Sequence, residues 1–221
     1  MTKRYIFDFL RDLRANNSKE WMDENRKCYH KAKDTWLEEI ALLLKRLEKH
    51  DSRIAPLKPK STISRINNNR RFHPDKPVYK TFFTFSVPQE KNVPSLHISV
   101  SPKGSFIGGG FWRPDKELLD KIRAAIDYNG EELKKIIQEE KLVNFYGGWA
   151  EDDQKLKTSP QNYDQEHPHI ELLRRKNFVV VRDLTQEEIM SDNFVDLVEE
   201  AYLALEPLLH YLEKAASFEE E

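Results

Sequence analysis

The feature that most constrains the fold is a change of hydrophobic period in mid-chain. Three short segments alternate apolar and polar side chains: 81–87 (Thr-Phe-Phe-Thr-Phe-Ser-Val), 95–100 (Ser-Leu-His-Ile-Ser-Val) and 105–107 (Ser-Phe-Ile). Alternation at every second residue marks a strand with one buried face. The gaps, 88–94 and 101–104, are too short for a crossover helix, so these strands pair antiparallel. Phe83, Phe85 and Val87 share a face, as do Leu96, Ile98 and Val100. The opposite faces carry Phe82, Thr84 and Ser86, then His97, Ser99 and Ser101. The sheet therefore has an apolar side and a side of hydroxyls with one histidine.

Both flanks read as helical. Ile6, Phe9, Leu10 and Leu13 form one apolar stripe. A second, long helix is expected from Asn17, with Glu20 completing a capping box, and with Trp21, Cys28, Ala32, Trp36, Ile40, Leu43 and Leu47 on its buried face. On that face Cys28 reads as a buried structural thiol. Helices return after Pro114 (Leu118, Leu119, Ile122, Ile126), after Gly130, and over the acidic end of the chain, where Thr185 and Glu188 make a second capping box and Pro207 interrupts. Segments 61–66 and 178–182 read as further strands. The expectation is one α+β domain over 1–221: helical 1–50, mainly strand 61–112, helical 114–140 and 185–216. Its antiparallel sheet has about four to six strands, covered by helices on one face.

Composition narrows the class. Four Trp, twelve Phe and eight Tyr supply a core, so the chain is not a disordered one. A single cysteine excludes an internal disulfide framework or a thiolate zinc cluster. No apolar run reaches the roughly 20 residues of a membrane span, and the first residues turn charged too soon for a secretory signal. A cytoplasmic protein without a membrane partner is the expectation.

The net charge of −2 hides an asymmetry. Residues 53–80 hold eight bases and one acid (8 − 1 = +7), whereas 183–221 hold twelve acids and one base (1 − 12 = −11). The basic stretch contains Arg65-Ile-Asn-Asn-Asn-Arg-Arg-Phe-His-Pro-Asp-Lys-Pro-Val-Tyr-Lys-Thr81. Arginine forks and lysine ammonium groups on a loop between sheet ends suit carboxylate or phosphate oxygens. Neither GxGxxG nor GxxxxGK(S/T) occurs, so no nucleotide fingerprint supports a named ligand.

This stretch resembles the bacterial domain-of-unknown-function family number 2461, whose pattern is R-x-x-R-D-x-R-F-x-x-D-K-x-x-Y. Arg65, Arg71, Phe72, Asp75, Lys76 and Tyr79 match it in order. Two further blocks are similar: Leu96-His-Ile-Ser-Val100 with Gly104-Ser-Phe-Ile-Gly-Gly-Gly-Phe-Trp112, and Tyr163-Asp164, His167-Pro168, Leu172-Leu-Arg174, Lys176 and Phe178. The resemblance implies one domain and a bacterial cytosol, and brings no established activity. Asn68 and Asn69 stand where the pattern has Arg and Asp. An ion pair or a catalytic carboxylate is absent there, while amides still hold a turn.

The leading expectation is a pocket for a small anionic ligand on the polar sheet face. Arg65, Arg71, Lys76, Tyr79 and Arg113 would hold the anionic group, with Thr84, Ser99 and His97 along the floor. If a reaction follows, His97 with Asp75 is the acid–base pair. Gly108-Gly109-Gly110 reads either as an anion cradle or as a bend at a sheet edge. His167-Pro-His169 beside Asp164 and Glu166 has the composition of a weak metal site, but no metal is assigned, and no cofactor is indicated. The alternative is a non-enzymatic module that binds single-stranded nucleic acid or a protein partner through the same basic loop. In a third reading the arginines pair with Asp75 or the acidic C-terminal helix. Oligomeric state is not legible.

Overall fold

The structure, a computed structural model, describes residues 3–218 except Phe72, Gln89 and Lys91. It is α+β. Its strands β1 (Phe83–Val87), β2 (Ser95–Val100), β3 (Ser105–Phe111) and β4 (Phe178–Leu184) form one antiparallel sheet in the order β1-β2-β3-β4. The chain gathers into two compact units, neither a continuous stretch of sequence: residues 1–87, 97–107 and 183–200 make the first, and 88–96, 108–182 and 201–221 the second.

The first unit holds α1 (Arg4–Ala15), α2 (Lys19–Glu24) and α3 (Arg26–Leu47). The expected stripe of α1 is buried, and Ala32, Trp36, Ile40, Leu43 and Leu47 bury the face of α3. Trp36 Nε1 donates to the Thr84 carbonyl at 3.1 Å, fixing α3 to β1. Four expectations change here. The long second helix is broken at Asn25 (φ −103°, ψ 18°). Its N-cap is Ser18, extended and accepting from Trp21 N–H at 3.1 Å, because the Asn17 amide is engaged elsewhere. After the break Tyr29 turns its ring to Phe9 (5.7 Å between centroids), and Cys28 is exposed instead of buried. Segment 61–66 is no strand. It begins in a 3-10 turn, Pro59–Ser61, and runs irregularly along β1, with Ser86 N–H donating to the Thr62 carbonyl at 3.0 Å.

The second unit holds α4 (Lys116–Ile137), kinked at Asn129 (φ −150°, ψ 57°), with α5 (Glu140–Tyr146), α6 (Ile170–Leu173) and the segment 201–216 of α8 (Phe194–Ala216), which runs through Pro207. The short helix α7 (Gln186–Met190) belongs to the first unit and starts on the expected Thr185–Glu188 capping box. The glycine triplet lies inside β3. A Cβ on Gly110 (φ +116°) would stand 2.0 Å from the Phe178 carbonyl oxygen, and one on Gly109 2.2 Å from Leu205 Cδ2. Close approach of β4 and α8 requires these glycines, so they serve packing, not an anion cradle.

Candidate functional site

The basic stretch forms a hairpin-like excursion. Asn67 and Tyr79 make an antiparallel bridge, Asn68 N–H donates to the Val78 carbonyl at 3.1 Å, and Lys80 N–H to the Ile66 carbonyl at 2.7 Å. Asn17 ties down its root as a third strand would: Oδ1 accepts from Tyr79 N–H at 2.9 Å and Nδ2 donates to the Tyr79 carbonyl at 3.0 Å. At the tip, Asn68 Nδ2 donates to the Pro77 carbonyl at 2.9 Å, and Asn69 Oδ1 accepts from Arg71 N–H at 3.2 Å. The two amides at the departure from the family pattern thus hold the turn through the backbone. Arg70 folds back onto the Pro74 carbonyl (3.0 and 3.2 Å). Arg71, Asp75 and Lys76 are exposed, and Phe72 of the pattern lies outside the described residues.

Below the root lies an open cleft of about 210 Å³. Tyr29 and Lys33 reach it from α3, and Lys60, Ser64, Arg65 and Asn67 from the irregular segment, with Ile63, Ile66 and Phe83 as its apolar lining. The segment is held open by local bonds. Thr62 Oγ1 donates to the Pro59 carbonyl at 3.0 Å, and Ser64 N–H donates to Thr84 Oγ1 at 2.9 Å. Among the described residues, no acid lines the cleft. Among the described residues, no carboxylate lies within 4.0 Å of the side-chain nitrogens of Lys33, Lys60, Arg65, Lys76 or Lys80. Lys80 registers the resulting field: burial lowers its pKa from 10.5, and Arg65 and Lys76 lower it further. Burial raises the pKa of the Tyr29 phenol, against the pull of Arg26, so it stays a neutral donor. Arg53 grips Asp51 (Nη2 to Oδ2 2.8 Å), and the acids of α8 in this unit, Asp196 and Glu199, are taken by Arg46 (2.5 and 2.6 Å) and His50 (2.8 Å to Glu199).

Of the residues singled out in the sequence, Arg65 lines the cleft and Thr84 secures its wall; Lys76 is exposed, does not line the cleft, and with Arg65 lowers the pKa of Lys80; Tyr79 is buried at the hairpin root. Ser99 is buried in β2 and does not line the cleft. His97 Nδ1 pairs with Ser86 Oγ at 2.6 Å, its ring lies 5.6 Å from Phe106, and burial lowers its pKa, which favours neutral imidazole. No hydrogen bond joins it to the exposed Asp75 among the described residues. Arg113 belongs to the second unit. It adopts positive φ (51°), its N–H donates to Asn177 Oδ1 at 2.9 Å, and its guanidinium is 4.0 Å from Asp153.

Sequence reasoning missed two groups. Tyr29 and Lys33 sit one turn apart on α3, a spacing that announces a shared face but not what the face meets. The second is a knot in the second unit. Asp152 accepts from Lys176 N–H (2.7 Å), Asn177 N–H (3.0 Å) and Asn177 Nδ2 (2.6 Å). Burial pushes its pKa up, but these bonds outweigh that and leave it lowered. Beside it Arg175 donates to the carbonyls of Ala150 (2.8 Å) and Asn177 (3.0 Å) and lies over Trp149. His167 Nε2 pairs with Asp127 at 2.8 Å, and among the described residues no group of three or more His, Cys, Asp or Glu could hold a metal ion.

The sequence model of one family, described as conserved hypothetical protein (DUF2461), matches residues 5–211 of the 221. The chain is a DUF2461 protein. The match spans both the hairpin pattern and the Asp152–Asn177 knot. No curated protein and no solved structure matches the chain. Among the described residues, no helix is long and apolar enough to cross a membrane.

Proposed function

We propose that this DUF2461 protein binds a small anionic ligand, carrying phosphate or carboxylate, in the cleft rimmed by Lys33, Lys60 and Arg65. The observation that carries the reading is a concave site lined by three cations and no acid. Like charges gathered without carboxylate partners repel one another, and a bound anion relieves that repulsion. The site differs from the expected pocket on the polar sheet face: α3 and the segment 60–67 form it, while Arg71 and Lys76 of the hairpin supply outlying charge. The reading is one of binding. His97, neutral and paired with Ser86, is held in reserve as a base. A cytosolic setting in a bacterial cell belongs to the same reading, supported by a lone exposed thiol, Cys28.

Titration with inorganic phosphate and with citrate, followed by melting temperature, tests it. The wild type is expected to gain stability with ligand concentration, and a Lys60→Ala/Arg65→Ala variant to gain none. Equal shifts in both proteins would reject the cleft. Tight binding of a single-stranded oligonucleotide that grows with strand length and collapses with added salt would favour the nucleic-acid module instead.

A further inference from the structure

The make-up of the cleft narrows the ligand class, given the reading above. Its cations come from separate places in the chain: Lys33 on α3, Lys60 in a 3-10 turn and Arg65 in the irregular segment after it. A planar carboxylate offers two oxygens on one edge, which a single arginine fork satisfies. A tetrahedral phosphoryl group offers three terminal oxygens in different directions, and as a dianion it roughly doubles the Coulomb attraction to every cation present. The neutral Tyr29 phenol is a further donor that does not repel the anion. Lys80, whose pKa both Arg65 and Lys76 lower, extends the excess of positive charge beyond what one negative charge would balance.

The rest of the lining sets the body of the ligand. Ile63, Ile66 and Phe83 are apolar, and the buried ring of Phe83 lies 6.3 Å from Phe9 in a near-parallel stack. Apolar lining favours a carbon body over a free phosphate ion. At about 210 Å³ the cleft falls below the roughly 300–1,000 Å³ usual for drug-sized ligands, too small to enclose a nucleotide. We infer that the cleft takes a small dianionic phosphomonoester: phosphoryl oxygens on Arg65, Lys33 and Lys60, and a compact apolar body against Ile63, Ile66 and Phe83.

Four probes separate charge from size: phenyl phosphate, benzoate, inorganic phosphate and adenosine monophosphate, each titrated calorimetrically into the full chain near neutral pH. Phenyl phosphate is expected to bind at least tenfold more tightly than benzoate, which shares its ring but carries one charge. It should also exceed inorganic phosphate, which lacks the ring, and adenosine monophosphate, which is too large. Arg65→Ala should weaken phenyl phosphate at least tenfold. Ile63→Ser should weaken phenyl phosphate and leave inorganic phosphate unchanged. Benzoate binding as tightly as phenyl phosphate would overturn the dianion while leaving the anion cleft standing. Adenosine monophosphate binding most tightly would overturn the size limit. Failure of all four, with Arg65→Ala indistinguishable from wild type, would remove the phosphomonoester, and failure of citrate in the thermal titration as well would remove the cleft itself.

Discussion

Arg175 in the second unit and Arg65 in the first are both guanidinium groups beside irregular chain, yet they are disposed in opposite ways. Arg175 is buried, and its donors meet the Ala150 and Asn177 carbonyls. Arg65 is exposed, faces Lys60 and Lys33 across a cleft, and has no carboxylate partner among the described residues. A cation taken out of water must be satisfied by the fold, and is then part of its frame. A cation left in a concave site with others of its sign contributes nothing to the frame and is available to a ligand. A count of charges along the chain does not distinguish the two; the hydrogen-bond partners do.

The comparison breaks most easily at Asp152. Asp152→Ala strips four donors, those of Gln154 N–H, Lys176 N–H and two on the wholly buried Asn177, and is expected to cost about 2–4 kcal/mol in urea unfolding. Because the native pKa of Asp152 lies below its unfolded value, its stabilisation is present above the ordinary carboxylate range and lost as pH falls through the native pKa. Asp152→Asn should flatten that acid limb. Arg175→Ala is next, at about 2 kcal/mol or more, whereas Arg65→Ala should stay within about 0.5 kcal/mol. If the two cost the same, Arg65 belongs to the frame and the cleft loses its argument.

Smaller effects sharpen the contrast. Asn17→Ala removes both bonds to Tyr79 and should cost about 1–2 kcal/mol. It should also weaken phosphate binding, because the hairpin root positions the cleft wall; a stability loss with unchanged affinity would separate the two. The smallest effect concerns His97, whose pKa burial holds below 6.5. The unfolded chain takes up this proton first as pH falls. The contribution is therefore present above about 6.5 and declines as pH drops towards the native value. His97→Gln should remove that part of the pH slope in denaturant titrations.

The alternation in 81–87 and 95–100 determined the strands, their faces and their antiparallel pairing, because a period of two cannot be satisfied by a helix. The glycine contacts of β3 and the N-cap at Ser18 were not legible. Both depend on what a distant segment presses against, Leu205 in one case and Tyr79 in the other. The same holds for charge. The sequence by itself determined that 53–80 is basic and that the uncharged Asn68 and Asn69 favour a structural role in a turn. Only the tertiary structure decided that Arg53 is neutralised by Asp51, that α8 gives Asp196 and Glu199 to Arg46 and His50, and that Tyr29 and Lys33 join Arg65. The physical reason is range: periodicity is a local property of the chain, whereas pairing between charges decays within a few ångströms and is set by residues far apart in sequence.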